Sequence, residues 1–260
     1  MNNNNETTIQ NYMKERKVVR RGYNENDKTF FTGEKLNILF KASEEVLYLL
    51  NHDYKIKQAT TFVGNHHLLQ ERQRVALARS LASDVKIVSR RRKMVESNRL
   101  EGAEVYIDGF NAIIPMETML SGSILLKGMD GVIRDLADLK GSYKIIDKTE
   151  KAIHMILSKL DELKVTKANI YLDKPISNSG RLKTFIQEIS GSYNVTVEVD
   201  LLNAVDRALY GKENVISGDS VVIDESISWI SLYDMILEDY IINNDAWVID
   251  FQKTHVKKDK

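Results

Sequence analysis

From Thr32 onward the apolar positions Leu36, Leu39, Phe40, Val46, Leu47 and Leu50 recur at roughly helical spacing, and Thr32 stands where it can cap the helix they predict. A second helix is predicted over 56–63, with Gly64-Asn65 as its C-terminal stop. A third is predicted over 69–82, through Val75, Leu77, Ala78 and Leu81. Past residue 100 the pattern changes to short apolar runs alternating with helical stretches, which argues a mainly parallel sheet. The expected strands are 105–114, 168–172, 195–201 and 215–217, with an edge strand at 246–251. The expected helices between them are 147–163, 181–189, 203–209 and 229–242. The fold class read from this pattern is α/β, a helical N-terminal region followed by a mainly parallel central sheet.

Charge divides the chain at the same place. The net charge is zero, yet residues 1–100 carry 19 Lys and Arg against 11 Asp and Glu, while 101–260 carry 18 against 26. Such asymmetry suggests a basic part that meets a polyanion and an acidic part that holds cations, or two halves that attract each other. The division expected is a polar, coreless 1–12, a helical basic region over 13–100, an α/β domain over 101–252 and a Lys-rich tail over 253–260. With 43% hydrophobic residues and no run of eighteen apolar ones, a soluble protein that makes no use of a membrane is expected. Zero cysteines exclude disulfides, thiolate metal sites and cysteine catalysis; with no secretory signal at the N-terminus, a cytoplasmic location is expected.

The candidate chemistry sits at strand ends. Val105-Tyr-Ile-Asp108-Gly-Phe-Asn111, Ile170-Tyr-Leu-Asp173 and Val215-Ile-Ser-Gly-Asp219 each bring an Asp to the end of an apolar run. Ligands of open α/β sheets bind at that edge, so three such ends can assemble a divalent-metal site. The competing reading is that Asp ends strands as a turn former. Asp130 and Asp135, flanking Arg134 on a loop–helix segment, offer a further ligand or simply a helix start rich in acids. Ser177, Asn178, Ser179 and Arg181 suit a phosphate at a helix N-terminus, and plain N-capping explains the serines equally well.

In the basic region, the two helices around Gly64-Asn65 resemble a helix-turn-helix. Gln70, Arg72, Gln73, Arg74 and Arg79 lie on the second helix, where they can reach bases or phosphates or form the solvated face of a packing unit. Arg90-Arg91-Arg92-Lys93 reads as a phosphate-contacting arm. His66-His67 reads as a surface pair, because adjacent helical residues face different ways. Tyr143 and Trp229 read as core. A second Asp two residues after the first, an Asp-x-Asp strand end, a Walker lysine motif and Gly-x-Gly-x-x-Gly are all missing, which removes several phosphate chemistries.

The series Asp108-Gly-Phe-Asn111, Asp173, Asn203-Ala-Val-Asp206 and Ser217-Gly-Asp219-Ser resembles the PIN-like nucleases of the NYN branch, over about residues 103–227. The resemblance implies a PIN-like three-layer domain in which Asp108 is the principal metal ligand and Asn111 orients it. It also implies that Asp206 and Asp219 complete the acidic cluster, that Asp173 matches an acid of some members, and that Mg²⁺ or Mn²⁺ is held. This chain has one acid at Asp206 where many of those proteins have two. Arg21-Gly-Tyr, Tyr48-Leu-Leu-Asn51, Phe62-Val-Gly-Asn65, Glu71-Arg-Gln-Arg74, Asp130-Gly-x-x-Arg134-Asp135-Leu, Gly141-Ser-Tyr143 and Ser177-Asn-Ser-Gly-Arg181 are similar to a prokaryotic family known only as a domain of unknown function. The function expected is metal-dependent cleavage of nucleic acid, RNA favoured, by Asp108, Asn111, Asp206 and Asp219 with Asp173 and Asp135 as further ligands. The alternatives are a nucleic-acid-binding regulator with an inactive domain, and a small-ligand binder using the 177–181 loop.

Overall fold

The computed structural model describes residues 19–137 and 141–254. The coreless 1–12 and all but the first residues of the tail lie outside the described residues. The helical part comprises α1 (Asp27–Phe30), α2 (Gly33–Leu50), α3 (Ile56–His66), α4 (Glu71–Ser80) and α5 (Asp84–Lys93). On α2 the buried Leu39, Ala42, Ser43, Val46, Leu47 and Leu50 repeat every three or four residues, so a single stripe faces inward. The expected stop at Gly64-Asn65 is helical instead. Gly64 has no Cβ, and one placed there would lie 2.9 Å from the Arg74 guanidine nitrogen Nε, so glycine admits that side chain. The turn falls later, at Leu68, with φ +51°.

The second part runs β1 (Glu104–Asp108), α6 (Gly109–Leu120), β2 (Leu125–Lys127), β3 (Ile133–Asp135), α7 (Thr149–Glu162) and β4 (Lys167–Asp173). It continues α8 (Ser179–Ser190), β5 (Thr196–Leu202), α9 (Val205–Leu209), β6 (Val215–Ile216), α10 (Ser220–Glu225), α11 (Leu232–Ile241) and β7 (Val248–Asp250). A four-stranded sheet of order β5-β4-β1-β6 is parallel throughout. Three findings correct the sequence reading. The strand expected over 105–114 ends at Asp108, and the apolar residues beyond it form α6, which is buried on every side and so shows no helical period. Trp229 does not begin a helix; it is buried in a bridge to Val215 and Met94, and α11 starts at Leu232. Arg134 and Asp135 lie on a strand, not a loop–helix segment.

That strand belongs to a second sheet, β3-β2-β7, in which β2 is antiparallel to β3 and parallel to β7. The edge strand expected near the C-terminus is therefore an edge strand of this sheet. The main core fills the space between the parallel sheet and α6, α7, α8 and α11. The second core joins α2–α5 to Ile124, Leu126, Met129, Leu136, Ile249 and Phe251, so the helical region and the small sheet fold around one interior. Among the described residues no helix is long and apolar enough to cross a membrane.

Candidate functional site

Because the four strands are parallel, they end on one edge. Asp108 is the last residue of β1 and Asp173 the last of β4, while Asp206 lies four residues beyond β5 and Asp219 three beyond β6. Asp206 sits on α9, which touches β4, β1 and α10. Val205 and Leu209 of α9 pack with Val215 and Val222, and with the partly buried Tyr106 and Tyr171, so α9 lies folded back over the sheet edge. Gly109 lets α6 leave β1 closely: a Cβ there would stand 2.5 Å from Leu172 Cδ2 and 3.0 Å from the Tyr171 carbonyl oxygen.

Asp108 is buried and held on three sides. Its carboxylate accepts the Asn111 amide side chain at 2.6 Å, the Asn111 backbone N–H at 3.3 Å and the Ser217 hydroxyl at 3.1 Å. Burial nevertheless raises its pKa to about 7 against these three bonds, and the charge of Asp206 adds to the rise. Asp206 is open to solvent, yet its pKa is raised too, first by partial desolvation and then by Asp219 and Asp173. Desolvation also raises the pKa of Asp173. Asp219 accepts the N–H groups of Val221 and Val222, capping α10. Capping and turn formation are thus real duties of Asp108 and Asp219, as the plainer sequence reading allowed.

The four acids share an edge, but no three of them bring ligand oxygens within 4.8 Å of one another; among the described residues only Glu45, His66 and His67 meet that spacing. Two neighbours were not singled out from the sequence as members of the site. Ser217 was legible in the Ser-Gly-Asp motif. Tyr233 had no signal: its hydroxyl is buried without a hydrogen-bond partner, and burial and the charge of Asp108 hold its pKa well above the usual value.

Asp135 does not join the edge acids. It lies on the second sheet, accepts the Ala137 N–H at 2.7 Å and faces Arg79 at 3.5 Å. The residues expected to meet nucleic acid are mostly committed inside the fold. Arg72 pairs with Asp27 and donates to the Leu136 and Gly22 carbonyls. Arg74 donates to the Leu69 and Gly64 carbonyls and to Asn65, closing the turn between α3 and α4. The exposed positions of α4 are Glu71, Val75 and Ala78, which is no basic recognition face. Arg90 is buried between Asp130 and Asp224, and Arg134 between Asp130, the Gly218 carbonyl and Ser220. Lys93 donates to the carbonyls of Ile223, Asp224 and Ser226 at the end of α10, and Arg91 to that of Met129. Arg92 is exposed. At the start of α8, Ser177 and Asn178 bond the Tyr143 backbone and Ser179 the Lys174 carbonyl, so these side chains serve the loop; Arg181 is exposed.

A cleft of about 520 Å³ opens elsewhere, lined by Arg91, Met94, Glu96, Lys127, Asp234 and Glu238 among others, and the four edge acids take no part in it.

Two family models match the chain: one described as "Domain of unknown function (DUF5616)" over residues 97–235, and one described as "Protein of unknown function (DUF434)" over residues 38–93. The chain is 35% identical over 199 residues to the uncharacterized protein MJ0935 of Methanocaldococcus jannaschii, an alignment covering 76% of this chain and 94% of that one. No solved structure matches.

Proposed function

The chain belongs to the DUF5616 family, and we propose that in it the carboxyl edge of the parallel sheet is a divalent-metal site for cleaving phosphodiester bonds, with RNA as the substrate and a PIN-like arrangement of acids. The observation that carries this reading is electrostatic. Asp108, Asp173, Asp206 and Asp219 leave one sheet edge, where the charge of Asp206 raises the pKa of Asp108 and the charges of Asp219 and Asp173 raise that of Asp206. Hard oxygen donors with unneutralised charge fit Mg²⁺ or Mn²⁺. Mg²⁺ does not need all four acids at once, since it keeps several waters and binds through only one or two carboxylates plus substrate phosphates. The Tyr233 hydroxyl, buried without a hydrogen-bond partner among the described residues and influenced by the charge of Asp108, adds an unsatisfied polar atom to this region.

In this reading Asp108 is the principal ligand, and Asn111 and Ser217 fix its carboxylate so that it cannot rotate away. Asp206 and Asp219 supply the remaining negative charge at the open side, and Asp173 adds to it from the end of β4. When bound, the ion supplies charge neutralisation at the phosphate and an acidified water. A second reading, a regulator whose edge is inactive, is favoured by the separation of the carboxylates.

The test is paired. Single-stranded RNA is incubated with Mn²⁺ and the wild-type chain or Asp108→Asn, and both proteins are melted with and without the ion. Loss of cleavage in the variant is expected, with Mn²⁺ raising the melting temperature of the wild type only; at an ion concentration of 100 Kd the stabilisation is about 2.7 kcal/mol. Cleavage unchanged in the variant refutes the assignment. Absence of both cleavage and any response to Mn²⁺ favours the regulator.

A further inference from the structure

We infer that Glu45, His66 and His67 form a site for a borderline divalent transition ion, Zn²⁺ in the first place, independent of the acidic sheet edge. The sequence speaks against the histidines as a pair, since neighbours on a helix diverge. The fold removes that objection. His66 is the last residue of α3, and His67, at φ −90° and ψ 5°, has already left the helix. Their rings stand 4.8 Å apart at 79°. From the neighbouring helix, Glu45 of α2 reaches the same point, with one carboxylate oxygen 2.9 Å from His67 Nε2. One ligand atom from each of the three residues lies within 4.8 Å of the other two.

The chemistry of this set differs from that of the sheet edge. Two imidazoles and one carboxylate form the donor combination that holds Zn²⁺ with a fourth position left to water, while Mg²⁺ prefers an all-oxygen shell. Tetrahedral Zn²⁺ with bonds of about 2.0–2.1 Å sets its ligand atoms roughly 3.3–3.4 Å apart. The Glu45–His67 hydrogen bond has only to open by a few tenths of an ångström, and the exposed His66 ring has to swing inward. His67 keeps only 10% of its side-chain surface in solvent and Glu45 39%, so two ligands are steadied by packing and the mouth of the site stays accessible. A bound ion would tie the end of α3 to the middle of α2, two helices that already pack together.

The experiment uses the tag-free full chain, stripped with a chelator and titrated with Zn²⁺ by calorimetry at neutral pH in excess Mg²⁺. One saturable Zn²⁺ site is expected, accompanied by a rise in melting temperature. Glu45→Gln, His66→Gln and His67→Gln should each weaken it by more than about 100-fold, since even outer-shell partners of a metal are worth 10–100-fold. Their circular dichroism, recorded without metal, should match the wild type. Asp108→Asn should bind Zn²⁺ as the wild type does. A wild type with no saturable uptake, any of the three ligand variants retaining full affinity, or loss of uptake in Asp108→Asn overturns the site.

Discussion

Asp108 and Asp130 are equally hidden, at 2% and 4% exposure, yet their carboxyl groups titrate at about 7 and about 2. Both pay the same kind of desolvation penalty. Asp130 receives two guanidinium groups, Arg134 at 2.8 Å and Arg90 at 2.7 Å, whereas Asp108 receives an amide, a backbone N–H and a hydroxyl, and faces Asp206. The contrast extends to their regions. Where the helical part meets the second sheet and α10, Arg72, Arg79, Arg90 and Lys86 are paired with Asp27, Asp135, Asp130 and Asp224. At the carboxyl edge of the parallel sheet the pKa of Asp108 is raised in part by Asp206, and that of Asp206 in part by Asp219 and Asp173. Burial alone therefore does not fix the protonation of a carboxyl group: the charges and donors packed against it decide the direction of the shift.

The largest effect should come from the paired region. Arg90→Met leaves Asp130 and Asp224 without a shared partner, and removing one member of a buried ion pair costs about 3–5 kcal/mol. Urea melts at neutral pH check this; a loss below about 1 kcal/mol would mean that Arg134 and Lys86 suffice. The pH direction follows from Asp130. Its folded pKa lies below the ordinary value, so its contribution is complete above about 4 and is lost as pH falls toward 2.

Asp108 should act in the opposite direction. Unfolded, it ionises near the ordinary value of about 4; folded, it keeps its proton until about 7. Between those values the unfolded chain binds fewer protons, so stability falls as pH rises and then levels off above 7. Asp108→Asn removes that slope, and its stability relative to the wild type should improve by about 2–4 kcal/mol between pH 4 and 8. Parallel urea-melt profiles of the two proteins across this range would show that Asp108 is not raised.

The smallest expected effect separates exposed from committed arginines. Arg92→Ala should change stability by less than about 0.5 kcal/mol. If the exposed end of α5 meets RNA phosphates, the same change should lower the salt slope of RNA binding by about 1. An unaltered slope removes Arg92 from the interface.

Much of the parallel sheet was legible because each strand is an apolar run bounded by a turn, and the Asp positions were legible because they end those runs. The 105–114 run misled, since a helix buried all round has no polar face to reveal its period. The strands β2 and β3 are three residues each, too short for alternation to register. The burial of Arg90 was not legible for another reason. Linear charge shows how many arginines a segment carries, while their partners, Asp130 and Asp224 for Arg90, lie 40 and 134 residues away.

By itself, then, the sequence determined local matters: the helical first part, the alternation of strands and helices, the edge on which the acids emerge and the opposite charge of the two halves. These follow from short-range periodicity and from the direction of parallel strands. Only the tertiary structure decided which charges cancel. It buried Arg90 between Asp130 and Asp224, gave Asp108 amide, backbone and hydroxyl partners instead, and brought Glu45 to the histidines at the end of the next helix. The reason is that ionisation depends on desolvation and on charges a few ångströms away, and neither is a property of position along the chain.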